Sequence, residues 1–388
     1  VEGKRSRKQA KRHKTKGKTP RHPWSKEDTL FFKTTAFRQI LRDVVDQDPA
    51  WFKQLHPQER WVLRKASICQ TLWLGVRSCH CSNPACGHVK FLSNCCQTGF
   101  CPVCSYTRKL RALERAQHHA IDCSYFFITL TLPPALRPYA LDRTNGKVIE
   151  RCLRETLVET VMEICKEEKV PFLPGIHLTL HTYNGVAGWH PHVHMLVTAG
   201  GVPLDAIARQ KTIGFNDPDK IQGAWVDHHY FPEVQMKART MAKLMKKLRM
   251  AHKRGKLRWA DGHPMKNYKD WDRLLSKNVF LNGNHLHIRR DNKRKGAMTH
   301  SLEYALRYMG HPPVAVSTLG YNQSKERVRY TPKSKSKGED DNTGLRTIEV
   351  STQEFVQCMA QHILGKGERQ LFSYGLYSPR QIARARRI

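Results

Sequence analysis

One short segment of the chain carries histidines at every second position, namely His190, His192 and His194. Successive side chains of a β-strand point to opposite faces, so a strand in this segment would place the three imidazoles on one face. The residues on the other face are apolar, which suits a strand that covers a hydrophobic core. Three imidazoles in register are suited to hold one metal or phosphate group. The alternative is a polar strand face with solvated histidines.

Cysteines supply a second set of metal ligands. Most of the 12 cysteines lie between residues 69 and 104, in a chain that has no visible secretory signal. Such clustering indicates metal binding in a reducing compartment rather than a disulfide framework.

The spacing of these cysteines predicts a structural zinc site. The sequence Cys101-Pro102-Val103-Cys104 brings two thiolates round one Zn²⁺. Cys81 and Cys86, the latter followed by glycine, form the opposing pair, and Cys96 is a fifth candidate. Further residues are left for a second ion: Cys69, Cys79, Cys95, His80 and His88.

A third chemical element lies more than 100 residues after the histidines. The composition of Ser301–Tyr308 is helical, and Tyr304 and Tyr308 are one turn apart, with about 5–6 Å between their Cβ atoms. Two phenols on one face are suited to act as nucleophiles in turn, and Arg307 is suited to steady a phosphate. The alternative is that both tyrosines pack in a core.

The elements that position the histidines are predicted from hydrophobic patterning. A buried strand covers 124–132, an amphipathic helix covers about 153–164, and a further strand covers 175–183. Asn184-Gly185 then forms a turn, so this strand and the histidine strand make an antiparallel hairpin. The polar face of the hairpin would carry His177 or His181 beside the metal. This order predicts an α+β fold with an antiparallel central sheet flanked by helices.

The charge of the chain indicates a polyanionic partner. Lys and Arg number 67 against 33 Asp and Glu, a formal net charge of +34. Nucleic acid is favoured over a membrane, because no apolar run is long enough to span one. A helix predicted over 236–253 has a strongly basic face, for which phosphate contact and simple solvation both stay open.

Composition also divides the chain. We predict a disordered basic arm over 1–23, a helical and zinc-binding domain over 24–118, and a catalytic domain over 119–330. An insertion of unassigned fold lies at about 202–232 within the catalytic domain. A C-terminal segment covers 331–388.

The three chemical elements together resemble a known family. His192-Val193-His194 resembles the His-hydrophobic-His motif of HUH endonucleases, and Tyr304 with Tyr308 resembles their two-tyrosine class. With the upstream cysteine cluster, they are similar to the rolling-circle transposases of bacterial insertion sequences. The segment 374–377 is similar to the closing segment of that family. The resemblance covers about residues 60–378, and Cys81-x4-Cys86 departs from the usual two-residue spacing.

The resemblance implies a mechanism and partners. It implies a Mg²⁺ or Mn²⁺ held by His192 and His194 with a third ligand such as His190, and a structural zinc upstream. Tyr304 or Tyr308 would form a 5′-phosphotyrosine link and free a 3′-OH, so that strands are cut and rejoined without ATP. The partner would be single-stranded DNA at transposon ends and target, in the cytoplasm of a bacterium and associated with its nucleoid. A monomer and a homodimer are both left open.

Three other functions remain to be distinguished. A plasmid replication initiator or relaxase uses the same chemistry, although the upstream zinc cluster favours a transposase. A non-catalytic, zinc-dependent nucleic-acid-binding protein would have structural histidines. An RNA-binding structural protein is suggested by charge alone.

Overall fold

The computed structural model describes residues 35–83, 85–105, 111, 114, 121, 123–184, 187–209, 225–277, 285–290, 313–314, 316–331, 347–365, 368–369 and 371–379. The predicted basic arm, Tyr304, Arg307 and Tyr308 lie outside these residues. Side chains are described over the same ranges except at 208 and 209.

The strands of the described residues are numbered in chain order. They are β1 Val76–His80, β2 Val89–Ser93, β3 Tyr125–Thr131, β4 Phe172–Tyr183, β5 Trp189–Pro203, β6 Val226–Asp227, β7 Leu286–Arg290, β8 Leu319–Asn322, β9 Arg327–Tyr330, β10 Ile348–Ser351 and β11 Leu371–Gly375.

The α-helices are numbered in the same way. They are α1 Ala36–Gln47, α2 Ala50–Gln54, α3 Pro57–Ser67, α4 Arg137–Leu141, α5 Arg143–Glu167, α6 Leu204–Arg209, α7 Glu233–Lys253, α8 Tyr268–Leu275 and α9 Thr352–Ala360.

The largest sheet is antiparallel and has the strand order β11-β4-β5-β3-β7, with β6 added to β5. Helices α5 and α7 cover one face of it and bury a continuous apolar core. The combination of helices with an antiparallel sheet confirms the predicted α+β class. The predicted hairpin is formed by β4 and β5, which place the histidine strand in the middle of the sheet.

Helix α5 forms the base of this core. Its N-terminus is capped by Asp142, whose side chain accepts a hydrogen bond from Asn145 N at 2.9 Å. Leu153, Leu157 and Val161 recur at helical spacing and are fully buried. Val193 and Met195 of β5 pack in the same core as α5. Because side chains alternate along a strand, the histidines next to them in the chain lie on the face turned away from α5.

Helix α7 packs beside α5, and its basic face meets acidic residues. Arg239 binds Glu167 at 2.6 Å, Lys243 pairs with Glu163, and Lys247 binds Glu159 at 2.8 Å. The sequence left phosphate contact and solvation open for this face. Ion pairs between the two helices engage these three cations instead.

A second core is built from both ends of the described chain. Helices α1 and α3 and the cysteines near residue 100 pack with β9 and α9. Strands β8, β9 and β10 form a three-stranded sheet of their own. We predicted a boundary near residue 330, but Tyr330 pairs with Ile348 across that boundary. Residues 314–363 thus complete the core of the N-terminal module, and we call this unit the cysteine-bearing core.

No described helix has the length and apolar composition that crossing a membrane would require.

Candidate metal centres

The pairing of β4 with β5 positions the first candidate centre. His181 lies opposite His192, and Thr179 lies opposite His194. Cross-strand partners share one face of a sheet, so the histidines of both strands are neighbours. Val193, between them in sequence, is fully buried on the α5 side. The face of β5 that carries His192 and His194 therefore also carries His181 from β4.

Three imidazoles converge on this face. One ring nitrogen each of His181, His192 and His194 lies within 4.8 Å of the other two. We refer to these residues as the histidine trio. The Nε2 atoms of His192 and His194 are only 2.9 Å apart. A metal ion is the group that three nitrogen lone pairs at such separations fit.

Hydrogen bonds on the far side of each ring decide which nitrogen is available. His192 Nδ1 donates to the backbone oxygen of His190 at 2.7 Å, so a neutral His192 has its lone pair on Nε2. His194 Nδ1 is 3.1 Å from the hydroxyl of Thr129. Oxygen partners on the second ring nitrogen are typical of histidines that bind metals, because they fix the ring and its tautomer.

Burial keeps the imidazoles of His192 and His194 neutral. Desolvation is the main cause that lowers the pKa of His192 and of His194, with neighbouring positive charge adding to it. A neutral imidazole offers a lone pair to a metal, whereas an imidazolium does not. His192 and His194 are therefore in their ligating form at neutral pH.

The structure changes the place of one predicted ligand. His190 was predicted as a third ligand, but its ring is not among the three that converge. Its backbone oxygen instead orients His192. His181 occupies the third position; the sequence named it, with His177, as a residue beside the metal. His177 lies further along β4, stacked on Tyr377 with ring centroids 4.4 Å apart.

A positively charged side chain, that of Arg137, is held next to the histidine trio. Arg137 Nε donates to Leu132 O at 3.1 Å, and Trp189 Nε1 donates to Arg137 O at 3.1 Å. These bonds fix the guanidinium beside the start of β5. Its charge is one of the causes, after burial, that lower the pKa of His190 to about 4. Sequence reasoning missed Arg137, because only the fold brings 137 beside 190.

Two tyrosines of the closing segment lie away from the trio. Tyr374 pairs with Ile176 on the α5 side of the sheet, and its hydroxyl accepts a bond from Arg154 at 2.8 Å. Tyr377 is buried, with its hydroxyl 2.8 Å from that of Tyr125. Burial raises the pKa of Tyr374. Both phenols are engaged in packing.

The second candidate centre is made of four cysteines. The sulfur atoms of Cys69, Cys96, Cys101 and Cys104 lie within 4.8 Å of one another, and all four residues are buried. Cys104 Sγ is 3.5 Å from that of Cys69 and 3.4 Å from that of Cys96, so none of these pairs is a disulfide. Four thiolates around one point match the tetrahedral donor set of structural zinc.

Local geometry prepares this cluster for a cation. Backbone N–H of Cys96 points at Cys69 Sγ at 3.4 Å. Hydrogen bonds with the neighbouring thiols, followed by burial and by the charge of Cys96, raise the pKa of Cys101, so a thiolate there is unfavourable without a cation. Zn²⁺ supplies that cation, so the donor set fits the metal.

The ligand set overlaps with the predicted one. Cys96, Cys101 and Cys104 were predicted and are brought together, with Cys69 as the fourth member. Cys81 and Cys86 are not in the cluster; they are exposed between β1 and β2. Cys69 follows the apolar pattern of α3, a signal that it is buried. Cys81 and Cys86 lie in a polar stretch that carries no such signal.

Comparisons with known proteins match both halves of the chain. Residues 175–385 match the family model described as "Putative transposase", and residues 36–132 match the one described as "Transposase zinc-binding domain". The first match includes the histidine trio, and the second includes the four-cysteine cluster.

Two named relatives are similar over much of the chain. The transposase for insertion sequence element IS801 of Pseudomonas savastanoi pv. phaseolicola is 27% identical over 268 residues, which are 69% of this chain and 58% of that protein. The putative transposase y4qJ of Sinorhizobium fredii strain NBRC 101917 / NGR234 is 23% identical over 351 residues, 88% of this chain and 80% of that protein. No solved structure matches the chain.

Proposed function

Because the chain belongs to the transposase family whose model matches residues 175–385, we propose that it cuts and rejoins single-stranded DNA through a covalent tyrosine intermediate. The observation that carries the proposal is the convergence of His181, His192 and His194 on neighbouring strands. The sequence supplies the other half, a pair of tyrosines of the two-tyrosine class.

The residues of the trio fit a divalent ion such as Mg²⁺ or Mn²⁺. When bound, that ion would polarise the scissile phosphate and offset the charge that develops on it. The chain's own contribution is to hold the neutral imidazoles of His192 and His194 in fixed orientations. His190 and Thr129 do this through their oxygen atoms.

Arg137 is proposed to bind the same phosphate. Its Nε is engaged by Leu132 O, which leaves the two terminal nitrogens to donate. A guanidinium held in place binds phosphate oxygens in a forked geometry without ordering a flexible chain. The sequence had suggested Arg307 for this role, and that residue stays a second candidate.

Tyr304 and Tyr308 are proposed as the nucleophiles. The phenol oxygen attacks phosphorus, the bond from phosphorus to the 3′ oxygen breaks, and the phenol proton passes to solvent. The products are a 5′-phosphotyrosine and a free 3′-OH. A second tyrosine then attacks another strand, and the stored phosphodiester energy allows rejoining without ATP.

The test is formation of a covalent adduct. Single-stranded oligonucleotides from the ends of the element are labelled on the 3′ side of the scissile bond and incubated with protein and Mn²⁺. A denaturing gel should then contain a shifted, protease-sensitive band. Tyr304→Phe with Tyr308→Phe should abolish the band, and Tyr374→Phe, which changes a half-buried phenol on the other face, is the matched control that keeps it.

Separate variants test the phosphate-binding residues. We expect His192→Ala with His194→Ala to remove the adduct but leave DNA binding in a mobility-shift assay. Arg137→Gln should slow adduct formation by about 10- to 100-fold, as expected for losing charged hydrogen bonds of about 1.5–3 kcal/mol. Absence of any adduct on all end sequences would leave a non-catalytic, zinc-dependent DNA-binding protein.

A further inference from the structure

The ribbon formed by β1 and β2 lacks a hydrophobic core of its own. Both strands are exposed along nearly their whole length, and Phe91 and Leu92 are 47% and 40% exposed. A two-stranded ribbon without a covering layer is only marginally stable in water. An additional link is therefore expected to hold its two strands together.

The loop that joins the two strands is rich in metal-binding residues. Cys79, Cys81, Cys86 and His88 fall within ten positions, and all four are exposed. Free cysteines are among the most buried residues of folded proteins, so three exposed thiols at the end of β1 and in the loop that follows it are unusual. They are also unnecessary for the four-cysteine cluster, whose tetrahedral set is complete without them.

The register of the ribbon places three of these residues on one face. Cys79 pairs with Lys90, and the N–H of Cys81 donates to His88 O at 2.9 Å, which continues the same register. Paired residues share a face, as do residues two apart along a strand. Cys79, Cys81 and His88 therefore point to the same side.

The chain turns tightly at the fourth residue, Cys86. Cys86 N donates to Asn83 O at 3.0 Å, which makes a tight turn. Gly87 follows with φ of +57°, a left-handed conformation that glycine adopts without strain. A cysteine followed directly by such a glycine resembles the turns that wrap a thiolate and backbone N–H groups round a zinc ion.

His80 is excluded by the same register. It pairs with Val89 and so points to the opposite face of the ribbon. Its Nε2 lies 3.2 Å from the hydroxyl of Ser78 on that face. His80 thus provides a neighbouring histidine that is not expected to bind the metal.

We propose that Cys79, Cys81, Cys86 and His88 bind a second zinc ion, separate from the one in the four-cysteine cluster. Three thiolates and one imidazole are an established donor set for structural zinc. Within the described part of the chain, only the cluster and the histidine trio have ligand atoms within 4.8 Å of one another. The exposed loop therefore closes on the ion as it binds, and each thiol releases its proton to solvent.

The proposal is tested by counting zinc ions on the full-length chain. All measurements use the His192→Ala, His194→Ala double variant as the parent protein, because the histidine trio then cannot add a zinc ion to the count. Protein purified with a reducing agent is passed through a desalting column, and zinc per chain is measured by mass spectrometry. The parent should hold two zinc ions, and Cys81→Ser with Cys86→Ser should lower the number to one.

Matched variants identify the ligands. In the same parent, His80→Asn should keep two zinc ions, whereas His88→Asn should lose one or hold it more weakly against a competing chelator. Circular dichroism should stay close to that of the parent, because the ribbon lies outside both cores. Cobalt substitution supplies a second readout, since the visible absorption from thiolate ligands should fall in the Cys81→Ser, Cys86→Ser variant.

Two outcomes would overturn the proposal. One is a parent protein with a single zinc ion; the other is an unchanged content of two when Cys81 and Cys86 are replaced. Neither outcome depends on DNA cleavage. Failure of the second zinc site is therefore distinguishable from failure of the proposed strand-transfer activity.

Discussion

The orientation of the histidine trio depends on atoms that are not themselves ligands. The backbone oxygen of His190 fixes His192, and the hydroxyl of Thr129 lies against His194. A change of the His190 side chain leaves its backbone oxygen in place, while a change of His181 removes a ligand nitrogen. The two histidines are therefore expected to differ sharply when each is replaced.

We predict that His181→Ala weakens Mn²⁺ binding by at least about 10-fold, a loss that even outer ligands of a metal site can cause. His190→Ala, the matched control, should change it by much less. Binding is measured by isothermal titration in both variants. Equal loss in the two would place the His190 imidazole in the metal site.

At the same scale, sequence reasoning located the trio only in part. Period-2 alternation identified His192 and His194 without any knowledge of the neighbouring strand. The choice between His190 and His181 depends on the register between β4 and β5, which a single strand does not determine. Arg137 illustrates the same limit, because the bonds that bring it to β5 are tertiary contacts.

The packing of helices and strands against one another determines which basic side chains remain available to bind DNA. The ion pairs between α5 and α7 neutralise cations that composition alone would assign to phosphate. Arg289 on β7 is different. It pairs with Phe127, which pairs with Leu196, so it is exposed on the same face as the trio.

We predict that Lys243→Gln with Lys247→Gln leaves the salt dependence of DNA binding unchanged, because their charges are engaged by glutamates. Arg289→Gln should reduce the slope of log affinity against log salt by about 0.7–0.9, the effect of one phosphate contact. Fluorescence anisotropy with labelled single-stranded DNA over a range of salt concentrations measures both. A slope lowered in the lysine variant would return α7 to the DNA-binding surface.

Helix α5 also carries a carboxyl group whose protonation is linked to folding. Glu150 is partly buried near Glu368, with Arg143 and Lys147 also near it. Burial first, and then Glu368, raises its pKa from 4.5 to about 8. The folded state thus binds an extra proton between these values. The proton that the folded state binds at Glu150 stabilises it fully below about pH 4.5. This stabilisation is lost as the pH rises toward 8, where the buried carboxylate becomes charged.

We therefore predict that Glu150→Gln raises the melting temperature by a few degrees at about pH 8.5 and has little effect at about pH 5. Each pKa unit that the folded state shifts corresponds to about 1.4 kcal/mol, which sets the upper limit of the gain. Differential scanning fluorimetry at the two pH values measures the difference, with Glu155→Gln as the control because Glu155 is a partly exposed carboxylate of the same helix that pairs with Lys247. An equal effect at both pH values would contradict the linkage.

On the scale of the whole molecule, the two cores are joined at the tip of the β4–β5 hairpin. Ala187 follows that turn, yet it is buried in the cysteine-bearing core. His362 Nε2 and Cys358 Sγ both donate to Ala187 O, at 2.8 and 3.0 Å. His362 Nδ1 lies 3.0 Å from the hydroxyl of Thr182. The module that holds zinc is therefore fastened to the strands that carry the trio.

We predict that Cys101→Ser accelerates hydrogen exchange in β9 and α9 as well as near the cysteines, because all of them share one core. Exchange followed by mass spectrometry measures each segment. Cys165→Ser, a cysteine buried in the other core, is the control and should leave β9 and α9 unaffected. Protection of α9 that persists in the Cys101→Ser variant would mean that the core holds without its metal ligands.

Contacts between segments that are distant in the chain could not be predicted from the sequence. Strands β3, β4 and β5 and helices α5 and α7 were predicted near their observed positions, because each depends on local periodicity. The joining of 314–363 to the N-terminal module depends on contacts such as Phe355 and Val356 against that core, and no local pattern announces them. For the same reason the four-cysteine cluster was predicted with Cys81 and Cys86 in place of Cys69.

The shared core has a consequence for synthesis on the ribosome. Phe37, Ile40 and Cys69 leave the exit tunnel long before Val356 and Met359, which help to bury them, have been translated. At about 5–20 residues per second, the interval is on the order of tens of seconds. The nascent N-terminal helices lack these apolar partners during that time. A truncated translation product that ends before residue 314 would have neither a complete cysteine-bearing core nor the contacts of Cys358 and His362 with the β4–β5 hairpin, so abortive fragments are not expected to carry the proposed strand-transfer activity.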